Sequence, residues 1–216
     1  MFIQIPLDRL SLRLPQPLGK LHPVPTPPRI LVLSTSHRGN SRSESLAIRC
    51  GQLLREAGAE VDLVSLKDHE FPPLIVDMIA DSEAYKTLYP IVAAADGIVI
   101  TSPVYNWSLS GALKQFIEHI GSTDASSRAA LFDKVVSFVC AGGLPHGYMA
   151  FGSTALSLML DFRCIVNPYQ VFVHDGCWDG DHLRAEDEER LQKSMTIMLE
   201  LTTLLATRSY RSEWSV

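Results

Sequence analysis

The chain has 216 residues, 46% of them hydrophobic and 20% charged, which is enough to bury a full core and is ordinary for a globular protein. Nineteen basic against 24 acidic side chains leave a net charge of -5, and no cluster of Lys and Arg supplies the counter-charge that a nucleic-acid partner demands. No apolar run approaches the ~18 residues of a membrane span, and Cys50, Cys140, Cys164 and Cys177 lack CxxC spacing, so reduced thiols and a cytoplasmic location are expected.

Seven of the 13 prolines fall in residues 1–28, together with three basic residues and one acid. This segment reads as a Pro-rich N-terminal arm, and its Ile3, Ile5, Leu7, Leu10, Leu12 and Leu14 could lie extended along another surface. A cleaved targeting segment is the rival reading of the same composition. Residues 29–216 read as a single domain.

From residue 29 onward, short β-branched runs alternate with helical periodicity, the pattern of a parallel sheet covered on both faces. The first strand is predicted at 30–33. Leu46, Cys50, Leu53, Leu54 and Ala57 fall on one face of a helix that Gly58 ends. A strand at 60–64, a helix at 82–95 kinked or split by Pro90, and a very apolar strand at 97–101 follow. Leu109, Ala112, Leu113, Phe116, Ile117 and Ile120 make the cleanest helical stripe, and a helix so apolar calls for a surface to cover it. The remaining predictions are a strand at 135–140, a buried helix at 149–162, a fifth strand at 169–173 and a helix at 186–206. The acids Glu186 to Glu189 offset that helix's macrodipole, and the Asp-Gly pairs within 174–182 are turn chemistry, so no metal is expected. Five strands in this arrangement suggest an open doubly wound α/β sheet, with ligands at the carboxyl ends of the strands.

Three loops at that edge carry the chemistry. Residues 34–45 contain six hydroxyls, on Ser34, Thr35, Ser36, Ser41, Ser43 and Ser45, with Arg38 and Arg42 among them. At a helix N-terminus, unpaired N–H groups, hydroxyls and a guanidinium together suit a phosphate dianion, although Ser and Asn also serve as caps there. GxGxxG and GK[ST] are both missing, so neither a dinucleotide fingerprint nor a P-loop is supported. In the second loop Pro103 fixes a turn whose Tyr105, Asn106 and Trp107 could offer amides and ring faces to a flat ligand. The third, 141–147, has glycines that let backbone approach a ligand closely.

Over residues 29–173, some two-thirds of the chain, the sequence resembles the NAD(P)H-dependent FMN reductases of flavodoxin-like fold. Their Ser-x-Arg-x-x-Ser phosphate pattern is matched by Ser36, Arg38 and Ser41, with Ser43 at the position that often closes the site. Their Pro-x-Tyr-Asn segment and the following helix are matched by Pro103, Tyr105, Asn106, Ser108, Leu113 and Lys114. The PVY form with SGALK is most similar to the FMN reductases that supply sulfonate monooxygenases, while a Pro-rich arm is similar to that of the arsenical-resistance flavoproteins. Val104 stands where many quinone- and azo-reducing relatives carry Glu, and Trp107 where a small residue is usual.

The resemblance implies a flavodoxin-like five-stranded parallel sheet in three layers, α/β/α, with FMN as cofactor and NADPH or NADH as co-substrate. It implies that Ser36, Arg38, Ser41 and Ser43 hold the phosphate and that Pro103, Val104, Tyr105, Asn106 and Trp107 seat the ring. Ala141, Gly142, Gly143 and His146 then lie on the loop facing the N1/O2 edge. Electrons would pass to a small acceptor such as free flavin, a quinone, an azo compound or a metal oxyanion, with no protein acid or base required. A homodimer or homotetramer is expected, with no membrane partner. The alternatives are a flavodoxin-like electron carrier without nicotinamide turnover, which usually lacks the loop arginine and is more acidic, and a binding module without activity.

Overall fold

Continuous burial along Ile- and Val-rich runs sets the architecture of the computed structural model, which describes residues 27–121 and 128–212. All but the last two residues of the arm lie outside the described residues. The elements run β1 (Arg29–Ser34), α1 (Arg42–Glu56), β2 (Glu60–Ser65), α2 (Glu83–Ala94), β3 (Gly97–Tyr105), β4 (Ser108–Leu109) and α3 (Gly111–Ile120). They continue with β5 (Val135–Ala141), α4 (Gly152–Phe162), β6 (Ile165–Val166), β7 (Val171–Val173), β8 (Trp178–Asp179), β9 (His182–Leu183) and α5 (Ala185–Leu205).

The main sheet has the order β2-β1-β3-β5, with β6 and β7 sharing the fifth position beside β5. All these pairings are parallel, and β1 aligns Val32 with Leu63 on one side and Val99 on the other. Because successive side chains point to opposite faces, Ile30 and Val32 pack with Leu46 and Leu54 of α1 and with Leu191, Met195 and Met198 of α5. Leu31 and Leu33 pack on the other side with Leu88 of α2 and Leu113 and Phe116 of α3. The result is the expected flavodoxin-like α/β/α arrangement, in which the chain reverses direction across the sheet between β1 and β3.

Four local features depart from the sequence expectations. Strand β3 continues to Tyr105 and folds back on β4 as a short antiparallel hairpin, since Val104 pairs with Leu109 and Tyr105 with Ser108. The fifth strand is broken at Asn167 and Pro168. Pro168 has no N–H to give the ladder, and the buried Asn167 side chain takes over by donating to Ser137 Oγ (2.8 Å) and Ser194 O (3.0 Å) and accepting from Tyr169 N (2.9 Å). Helix α2 runs through Pro90 unsplit. Helix α4 is buried on one side only, with Leu156, Met159 and Leu160 exposed. The apolar stripe of α3, in contrast, is covered by its own sheet and by α2, so it calls for no outside surface.

At the end of the sheet away from the carboxyl edge, Lys134 is only 9% exposed and donates to the carbonyls of Ala93 (3.0 Å) and Ala95, closing the C-terminus of α2. Burial pushes its pKa down to about 8. Lys134→Met leaves those carbonyls unsatisfied and is expected to cost about 1–3 kcal/mol at neutral pH, measured by urea unfolding. Between about pH 8 and the 10.5 of an exposed lysine the unfolded chain binds more protons than the folded one. Wild-type stability relative to the variant should therefore rise across that window, and a flat difference would contradict the burial argument.

Candidate functional site

The carboxyl end of β1, strand β3 and the start of α3 are joined by a chain of buried hydroxyls. Thr35 N donates to Thr101 O (2.9 Å), and Thr101 Oγ1 to Leu33 O (3.3 Å). Ser110 caps α3 by accepting from Leu113 N (3.3 Å), and its Oγ donates to Thr35, whose carbonyl and hydroxyl oxygens lie 3.0 and 2.9 Å away. Ser110 N donates in turn to Ser102 Oγ (3.2 Å). These hydroxyls are almost wholly buried, so each bond fixes one loop against another without competition from water.

On this base, residues 35–41 wrap the N-terminus of α1. The Ser36 hydroxyl accepts from Arg38 N and donates to Arg38 O, both at 3.1 Å, which folds the loop into a tight turn. Ser41 is the N-cap, accepting from Glu44 N (3.2 Å), and lies 3.1 Å from the buried Ser43 hydroxyl. Glu44 reaches back to accept from Asn40 N (2.8 Å), where the chain passes through φ 54°, and it pairs with Lys67. The Lys67 hydrogen bond holds the Glu44 carboxyl below the usual carboxylate range. A carboxylate so neutralised detracts little from the positive end of α1.

The two arginines of this loop part company. Arg42 turns away from the sheet edge, stacks 4.3 Å above the Trp178 ring and donates to Gly180 O (3.0 Å) on the β8–β9 hairpin. Arg38 is exposed and its guanidinium makes no hydrogen bond or ion pair among the described residues. It lines a cavity of about 400 Å³ with Thr35, His37, Pro103, Tyr105 and Ser110.

A second cleft, of about 290 Å³, lies on the other side of residues 103–107. Val104, Asn106, Trp107, Gly142, Gly143 and His146 line it, with Phe172 of β7 beneath. A Cβ on Gly142 would come within 3.1 Å of the Phe172 ring, and one on Gly147 within 3.0 Å, so a larger residue at either position would have to push the ring aside. The Gly142 amide is already engaged by Val173 O (2.9 Å), whereas that of Gly143 has no partner among the described residues. Ala141 is the buried end of β5 and supports the loop without facing the cleft.

The sequence-predicted residues thus gather around one edge, with Arg38 on one side of the 103–107 segment and Gly142, Gly143 and His146 on the other. Sequence reasoning missed Ser110 and Phe172. A serine just before the apolar stripe of α3 is an N-cap signal that marks Ser110. Nothing local marks Phe172, which reaches the site only because β7 pairs with β5.

These groups fit FMN: an unpartnered guanidinium and hydroxyls at a helix N-terminus suit its phosphate, and a flat glycine-floored cleft suits a ring. A family model described as NADPH-dependent FMN reductase matches residues 28–177. The chain belongs to this family. An FMN reductase (NADPH) of Pseudomonas putida is 34% identical over 103 residues, 48% of this chain and 49% of that protein. An Escherichia coli FMN reductase (NADPH) is 28% identical over 172 residues, 80% of this chain and 86% of that protein. The match with the Pseudomonas FMN reductase therefore spans about half of that relative's length. In fold the chain is similar to FerB, a flavoenzyme NAD(P)H:(acceptor) oxidoreductase from Paracoccus denitrificans, with a TM-score of 0.67 at 17% identity, covering 81% of this chain and 97% of that one.

Proposed function

We propose that the chain is an NAD(P)H-dependent FMN reductase that passes electrons to a small-molecule acceptor. The observation that carries this is the Arg38 guanidinium, unpartnered among the described residues, beside the N-terminus of α1 and next to a flat cleft across the 103–107 segment. Membership of a reductase family favours this reading over an electron carrier. When bound, FMN supplies the redox chemistry, accepting a hydride from NADPH or NADH and delivering electrons onward.

The chain's own residues bind and orient. Arg38 supplies positive charge, while Ser36, Ser41 and Ser43 shape the helix N-terminus that takes the phosphate. Val104 and Asn106 give the ring its bed in the second cleft, and Pro103 and Tyr105 face the Arg38 cavity on the other side of the segment. The Gly143 amide is a donor held in place before charge develops, which is the arrangement that stabilises a reduced, negatively charged ring edge.

Residues 29–216 form the FMN-binding domain in this reading, with 1–28 as an appended arm. The exposed face of α4, with Leu156, Met159 and Leu160, supports a homodimer or homotetramer. No helix among the described residues is long and apolar enough to cross a membrane, and the four free, buried cysteines support the cytoplasm.

Arg38→Ala is expected to weaken FMN binding by about 1.5–3 kcal/mol, the range for hydrogen bonds to a charged group, as measured by titrating apo-protein with FMN. Unchanged affinity would remove Arg38 from the site. Wild-type protein should oxidise NADPH in the steady state, and FMN binding without turnover would favour the carrier. Light scattering should show an assembly that Leu160→Glu loosens; a wild-type monomer at micromolar concentration would sink the oligomer.

A further inference from the structure

Trp107 sits where its backbone is unfavourable. The β3–β4 hairpin closes through two residues of positive φ, Asn106 at 48° and Trp107 at 63°. Turns of this kind favour Asn at the first position and Gly at the second, and a bulky residue there is a conformational outlier. Burial does not offset the strain, because the side chain is 68% exposed. Strained residues that persist at a site's rim point to a role there.

Among the described residues the indole has one aromatic partner. It stacks on His146, with ring centroids 5.5 Å apart and planes inclined by 22°. The contact spans from the β3–β4 turn to the 141–147 loop, and both rings line the cleft floored by Val104, Phe172, Gly142 and Gly147. His146 therefore sits where it can hold the indole beside the cleft.

We propose that Trp107 is the specificity-determining residue for the electron acceptor, favouring flat fused aromatic molecules that stack on its indole, and that His146 is the positioning residue that keeps the indole in place. This rests on the FMN reductase reading. An aromatic acceptor gains ring-to-ring contact with the indole, whereas a small octahedral acceptor such as ferricyanide gains none. Stacking of this kind changes affinity about three- to tenfold. His146 acts through Trp107, so another flat ring at position 146 should serve in its place.

The test compares 1,4-naphthoquinone with ferricyanide as acceptor for FMN-loaded wild type, Trp107→Gly, His146→Ala and His146→Phe. The ratio of kcat/KM for naphthoquinone to that for ferricyanide should fall about three- to tenfold in Trp107→Gly and His146→Ala, through KM for the quinone, and stay within about twofold of wild type in His146→Phe. Trp107→Gly should also raise Tm, because glycine relieves the strained φ. Equal factors for both acceptors, no rescue by His146→Phe, or a lower Tm in Trp107→Gly would show that the pair is a structural anchor and overturn the proposal. Wild-type protein that takes up no FMN would overturn the reductase reading itself, an outcome visible by titration before any acceptor is compared.

Discussion

Everything at the carboxyl edge depends on the buried bridge from Ser110 to Thr35. The Ser110 hydroxyl caps α3 and holds the end of β1, and the Ser110 backbone amide donates to Ser102 within β3. The two loops that line the Arg38 cavity are thereby fixed to each other before any ligand arrives, and preorganisation lowers the ordering cost of binding. The bridge works because the parallel register of β1 and β3 places Ser34 beside Thr101, so β1 leaves the sheet next to the Thr101–Ser102 pair while β3 runs on. A slip of one residue would turn the hydroxyls toward the opposite face.

Much of this was legible in the chain. Short apolar runs with helical periodicity between them dictate a parallel sheet, since strands buried on both faces need no polar alternation. The place of the loop was legible too, because hydroxyls just before a helical stripe mark a helix start, and Ser41 caps α1 there. Contacts made through topology were not legible. Phe172 becomes a cleft floor only when β7 lies against β5, and Arg42, spaced like Arg38 in sequence, is drawn off by Trp178 at the far end of the chain. The break at Asn167 follows from a side chain that finds Ser137 and Ser194 at long range, which no window of local sequence contains.

Helical periodicity identifies an apolar face but not what covers it. The stripe of α3 is the stronger in sequence, yet the sheet and α2 bury it entirely. The apolar residues of helix α4 are spread around it instead of gathered in one stripe, and Leu156, Met159 and Leu160 project from its outer side. The apolar face left exposed is therefore that of α4, which follows the loop lining the second cleft. An assembly formed there would border the site.

The FMN reductase reading requires that this edge hold FMN and that NADPH reduce it. The most direct measurement is the visible spectrum of the purified protein, incubated with FMN, freed of excess cofactor and then mixed with NADPH without oxygen. A retained flavin spectrum that bleaches on NADPH addition is the predicted result. Protein that emerges colourless would contradict the account.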